Sequence, residues 1–270
     1  MGINRSENFP VASLLLPPRF RYPIALIYRF AREADDFADE GDAAAAARLA
    51  QLDQFREQLR RIERGLPPDI PWFADLAEVI REHNLPVSAF AELLSAFAQD
   101  VTQKRYADIA EVLDYCRRSA NPVGRLLLHL FRSASDQNFQ WSDSICSALQ
   151  LVNFWQDVAI DYAKGRVYLP QDEMRRYGVT EQHIAGGRCD DVWRALIQFQ
   201  IDRARGMLQA GAPLGRALPG RIGLEIRATV HGGLRILEKI ESVRGDIFRQ
   251  RPVLRWYDWP LIMARALWHK

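Results

Sequence analysis

The chain has 270 residues, 48% hydrophobic and 26% charged, a balance that suits one large globular domain or two small ones. Its formal net charge of +2 gives no electrostatic reason to expect a nucleic-acid partner. Cys116, Cys146 and Cys189 lack metal-ligand spacing and suit a reducing cytosol, and no apolar run reaches the length of a membrane span.

In chain order, residues 1–8 are polar, and Pro17-Pro18 cuts the short helix-like run over 11–16, so no signal peptide is expected. Arg5, Ser6 and Asn8 are donors able to reach phosphate oxygens, or else part of an ordinary N-terminal arm. Residues 22–41 read as a helix, with Pro23 in the first turn and Gly41 at its C-terminal end. Asp35 and Asp39 stand four apart on it, so their carboxylates share one face, and Arg32 and Tyr28 continue that face backwards.

Amphipathic helices are predicted over 43–64, 72–83 and 87–100, followed by a basic connection in which Lys104 or Arg105 is a lesser candidate for phosphate contact. Asp108 caps a helix that carries Tyr115, and Asn121-Pro122 must kink or end it before the apolar residues 123–131.

Residues 142–164 read as a further helix, with Ser142 as N-cap, Asp143 in the first turn, and Gly165 and Pro170 as stop signals. Asp157 and Asp161 repeat the four-residue spacing, with Asn153 and Gln150 one and two turns earlier on the same face. Short helices are expected at 171–177 and 180–185, and long ones at 189–210 and 221–248, around a connector at 212–220. The tail carries Trp256, Trp259 and Trp268 among basic residues. It reads either as a last helix packed on the bundle or as one lying on a membrane surface. No strand-like alternation appears, so the fold class is all-α, one domain over 1–270.

Two acids on one face of an apolar helix either form an ordinary exposed acidic edge or, if buried, repel unless a cation joins them. Mg2+, held through one or two carboxylates plus substrate phosphates, resolves that cost, and two such helices facing each other would hold two or three ions around one diphosphate. Arg32, Lys164, Arg166 and Arg251 supply cationic donors, and arginine's planar fork suits a diphosphate. Phe9, Tyr28, Phe30, Phe154, Trp155 and Tyr168 are either plain core or an aromatic lining for a carbocation.

Asp35-Asp36-Phe37-Ala38-Asp39, taken with residues 150–161, resembles the squalene/phytoene synthase family. The flanks agree: Asn8-Phe9-Pro10 at the start, Tyr28 and Arg32 before the first acidic motif, Tyr115 on a central helix, and Arg166-Val167-Tyr168-Leu169-Pro170 after the second. The resemblance covers nearly the whole chain. It implies an isoprenoid-synthase-type bundle with a central cavity, and Asp35, Asp39, Asp157 and Asp161 as metal ligands. It also implies Tyr28, Tyr115, Asn153 and Tyr168 at the chemistry, and Ser6, Asn8, Phe9, Arg32, Asn121, Gln150, Lys164, Arg166 and Arg251 around the substrate.

Within the family, residues 7–13, 115–124 and 153–158 resemble the branch that forms hydroxysqualene from presqualene diphosphate in hopanoid biosynthesis, where other enzymes of that pathway are conceivable partners. Water capture needs no reductant, so Mg2+ is expected and NADPH is not. The condensing members usually carry Arg where this chain has Gln156, Ala-Gly where it has Asn121-Pro122, and Tyr where it has Gly233. Non-catalytic relatives acting as assembly factors tend to lose acidic residues, and both pairs are intact here.

Overall fold

A computed structural model describes residues 16–39, 41 and 43–268; Ser6, Asn8, Phe9 and most of the short helix predicted over 11–16 lie outside the described residues. Among them the structure is helical, with a single isolated bridge between Arg105 and Val167 in place of any strand. The chain packs as two compact units.

The first unit takes in Pro17–Gln103 and Asp114–Asp143. It holds α1 (Pro18–Asp39), α2 (Ala45–Glu63), α3 (Pro71–His83), α4 (Val87–Thr102), most of α5 (Ile109–Ser119), α6 (Asn121–Leu130) and the start of α7 (Asp136–Ala163). Helix α1 begins earlier than predicted. Pro18 starts the helix, because a proline at the first helical position loses nothing by lacking an N–H. Pro23 therefore sits inside the helix rather than in its first turn.

Phe20, Ile24, Ile27, Phe30, Ala34 and Ala38 recur at three- and four-residue spacing and bury one face of α1. Phe30 meets Phe55, Phe73 and Phe90 with ring centroids 5.0–5.9 Å apart. It is fully buried in that cluster, so of its two readings it takes the core one. Each such aromatic pair is worth roughly 0.5–1.5 kcal/mol beyond its buried area.

Helix α7 also begins earlier than predicted. The Ser135 hydroxyl accepts from the Asn138 N–H at 3.2 Å, a cap seven residues before the expected one. Ser142 is a buried mid-helix residue, and Asp143 answers Arg125 of α6 in a two-point ion pair instead of a helix dipole.

The second unit takes in Lys104–Leu113 and the chain from Ser144 on. Beyond α7 it contains α8 (Gln171–Tyr177), α9 (Glu181–Ala185), α10 (Asp191–Gly211), α11 (Leu214–Ala217), α12 (Gly220–Ser242), a 3-10 turn (Trp256–Asp258) and α13 (Trp259–Trp268). The 212–220 connector thus holds a short helix of its own. Helix α12 stops at Ser242, six residues short of the prediction, where Arg244 and Gly245 turn to positive φ and the Gly245 N–H closes on the Ile240 carbonyl at 3.0 Å. Helices α8 and α10 are joined by buried Glu173, which accepts from Gln200 at 2.6 Å and from the Arg203 guanidinium.

Candidate active site

Each unit carries one aspartate pair. In the first, α1 presents Asp35 and Asp39 directly after buried Ala34 and Ala38, with Tyr28 and Arg32 on preceding turns. Arg32 reaches Asp36 at 2.8 Å and lies 4.0 Å from Asp35, so its tighter ion pair is with a residue outside the predicted set. Helix α4 adds an acid that the sequence reading passed over. Asp100 is 2% exposed, follows Phe90, Leu93 and Phe97 on the buried side of α4, and accepts a short hydrogen bond from the Tyr115 hydroxyl. Its signal was legible: a carboxylate at a position where the helical period calls for a core residue.

Asp35 shows the electrical consequence. Burial, then the charges of Asp39 and Asp100, push its carboxyl up to about 7, with Arg32 opposing and Asp36 adding. The side chain keeps 37% of its surface exposed, so a solvated cation can still reach a carboxylate that the surrounding protein and its like charges disfavour. Tyr115 is buried and engaged with Asp100. Asn121 is buried as the first residue of α6, Pro122 is the second, and of the two predicted outcomes, a kink or an end, the helix ends, with Ala120 between α5 and α6.

In the second unit, α7 carries Gln150, Asn153, Asp157 and Asp161 along one side, with Asn153 open to solvent and the others half-buried. Asp157 is held by Arg251, whose Nε and Nη2 both donate to it, the latter at 3.0 Å. The two residues assigned to metal and to diphosphate are here paired with each other. The neighbouring residue repeats the stitch: Gln156, 2% exposed, donates its amide to the Pro252 carbonyl.

Helix α7 ends at Ala163 and is closed off at Gly165 (φ +80°), where the Gly165 and Arg166 N–H groups bond the carbonyls of Tyr162 and Asp161 at 2.9 and 2.8 Å. The following loop is latched. Val167 N–H donates to the Lys104 carbonyl at 3.0 Å, Arg105 donates to the Gly165 carbonyl at 2.5 Å, and Arg105 also forks onto Glu181 at 2.5 and 2.8 Å. Arg105, a lesser phosphate candidate, is thus committed to protein groups. The latch fixes the residues that follow: Arg166 is buried, and Tyr168 stacks on Phe154 with centroids 3.8 Å apart. Lys164 is exposed at the end of the helix.

Among the described residues no group of three or more His, Cys, Asp or Glu side chains is placed to hold a metal by itself. Mg2+ keeps waters, takes one or two carboxylates and completes its octahedron with phosphate oxygens. The donors Asp35 and Asp39 are hard oxygens, and their mutual repulsion is what such an ion relieves.

Helices run throughout the described residues, and each unit carries an aspartate pair at one-turn spacing. The family model for squalene/phytoene synthase matches residues 4–258, and the chain belongs to that family. It is 34% identical to a hydroxysqualene synthase of Rhodopseudomonas palustris over 88% of this chain and 81% of the relative. It is 31% identical to a 15-cis-phytoene synthase of Synechococcus elongatus over 97% and 89%. Among solved structures, the squalene synthase HpnC of Alicyclobacillus acidocaldarius superposes with a TM-score of 0.82 at 35% identity, covering 88% of this chain and 89% of that one. A dehydrosqualene synthase in complex with ligand gives 0.86 at 21% identity over 94% and 88%, a likeness of fold.

Proposed function

We propose that this enzyme ionises presqualene diphosphate, lets the cation rearrange, and adds water to give hydroxysqualene, diphosphate and a proton. The observation that carries this reading is Gln156. Where condensing members usually place an arginine beside the second acidic motif, this chain buries a neutral amide and spends it on the Pro252 carbonyl. Relatives that bear the name hydroxysqualene synthase, at 33–34% identity, support the same reading.

Asp35, Asp39, Asp157 and Asp161 would hold Mg2+, which when bound neutralises the diphosphate as its C–O bond breaks. Arg32, Lys164, Arg166 and Arg251 would share that load through hydrogen bonds to phosphate oxygens. Phe154 and Tyr168, stacked on each other and buried, would form part of an apolar aromatic lining that excludes stray water. Asn153 or Asn121 would orient the one water that adds. A second reading, head-to-head joining of two prenyl diphosphates, draws on the relatives named phytoene synthase at 31–32% identity.

The test offers presqualene diphosphate and farnesyl diphosphate separately, each with Mg2+, with and without NADPH. The expected result is an alcohol from presqualene diphosphate alone, without reductant. Consumption of farnesyl diphosphate, or a product that is squalene and appears only with NADPH, sinks the water-capture reading.

A further inference from the structure

We infer that Arg48 is a positioning residue for the first aspartate pair: its guanidinium clamps the end of α1 and so holds Asp39 in register for a metal ion. The inference rests on the assignment of metal to Asp35 and Asp39 made under the proposed function.

The end of α1 runs against the usual preference. A helix closes with carbonyls that lack intrahelical donors, and its last turn gathers partial negative charge. Cationic side chains suit that turn, yet α1 has none there. It carries Asp36 and Asp39 instead, and Asp39 is its last residue. The missing cation comes from α2. Arg48, the fourth residue of α2, turns back and directs each of its three nitrogens to a backbone carbonyl: Nη1 to Ala38, Nη2 to Gly41 at 2.5 Å and Nε to Ala43 at 2.9 Å. One planar group thereby ties together the last turn of α1, the glycine beyond it (φ +76°) and the approach to α2.

Asp39 stands between two clamped residues, Ala38 and Gly41, so its backbone is fixed on both sides. Two effects of the guanidinium then oppose each other. A turn that is already ordered need not be fixed when the ion arrives, which is worth about tenfold in affinity for a single residue. A positive charge beside the site repels the ion, by about two- to fivefold for a screened group at a helix end. Order outweighs charge, and on balance the clamp favours the metal. The fold does not depend on it alone, because Phe37 meets Phe55 edge-on, centroids 5.1 Å apart, and holds α1 to α2 two residues earlier.

The experiment titrates Mn2+ alone into the full chain and follows the paramagnetic resonance signal of the free ion. Wild type is compared with Arg48→Met and with Arg61→Met. Arg61 serves as the control because it clamps the far end of the same helix, donating to the Pro67 carbonyl at 2.8 Å and pairing with Asp69 at 3.0 Å. The part of the wild-type binding that Asp39→Asn removes is the part compared. Arg48→Met should weaken it by about two- to fivefold, and Arg61→Met should leave it unchanged, while both lower the melting temperature. Should Arg48→Met fail to fold, Arg48→Lys, with one ammonium for three carbonyls, should weaken binding in the same sense. Unchanged binding in the Arg48 variant would overturn the inference by making Arg48 an ordinary cap. Tighter binding would overturn it by leaving charge as the only effect, and equal weakening by Arg61→Met would assign the loss to general instability. A wild-type chain that binds no Mn2+ would sink the metal assignment itself, and the inference with it.

Discussion

The two aspartate pairs share one spacing and live in opposite electrical surroundings. On α1, Asp35 is crowded by Asp39, Asp100 and Asp36, and its carboxyl is driven up towards neutrality. On α7, Asp157 is gripped at two points by an arginine that arrives from ninety-four residues away. A four-residue repeat fixes where carboxylates point and leaves open what they meet. The first pair holds surplus negative charge that a metal would satisfy. In the second, Arg251 already answers Asp157, and under the proposed function it would change partners when a diphosphate arrives.

The sharpest way to break this contrast is to remove one acid from each pair. Asp35→Asn and Asp157→Asn should each lower diphosphate release from presqualene diphosphate by about 10²–10³-fold, the usual cost of losing one stabiliser of developing charge. Wild-type turnover in either variant would end that pair's claim to the metal. A smaller effect separates the pairs. Arg251→Ala frees Asp157 but removes a phosphate donor, so kcat/KM should fall by roughly 10–100-fold, with Arg251→Lys recovering only part because a point charge lacks the fork. Unchanged kinetics would make the ion pair purely structural.

The smallest effect is on stability. Burial and like charges push the Asp35 carboxyl up to about 7, above the usual carboxylate range. Its contribution is therefore fully present below the ordinary carboxylate range and is lost as pH rises through about 7. Because the side chain is partly exposed, solvent screening reduces the loss to roughly 1 kcal/mol, or about 2–4 °C in melting temperature. Metal-free Asp35→Asn should accordingly melt that much above wild type at pH about 8 and match it at pH about 4, and Mg2+ should close the gap. Equal melting at pH about 8 without metal would show that the crowding carries no cost.

How far the sequence reached follows from the range of each interaction. Both acid pairs, the stop at Gly165 and the Asp108 cap, which accepts from the Glu111 N–H at 3.0 Å, were legible because helix period and capping act within a turn or two. The partners of Gln156 and Asp157 were not, since nothing local to α7 announces Pro252 and Arg251. Two boundaries went astray for local reasons. A proline pair stops a helix from one side and starts one from the other, and Ser142 resembles a cap until Ser135 proves to be the one in use. Asp100 was missed although its place in an apolar period marked it.

Gly233 on α12 has a consequence for the whole lineage. A Cβ there would stand 2.8 Å from Leu149 Cδ2 and 3.0 Å from Leu208 Cδ1, so the two leucines already fill the room a larger residue would need. Volume at these three positions behaves as a single shared quantity. Relatives with tyrosine at the corresponding place should carry smaller side chains opposite it, and the three positions should change together rather than one at a time. A tyrosine introduced alone is then a core mutation before it is a change of chemistry, and a fair trial of its catalytic meaning has to shrink both leucines in the same step.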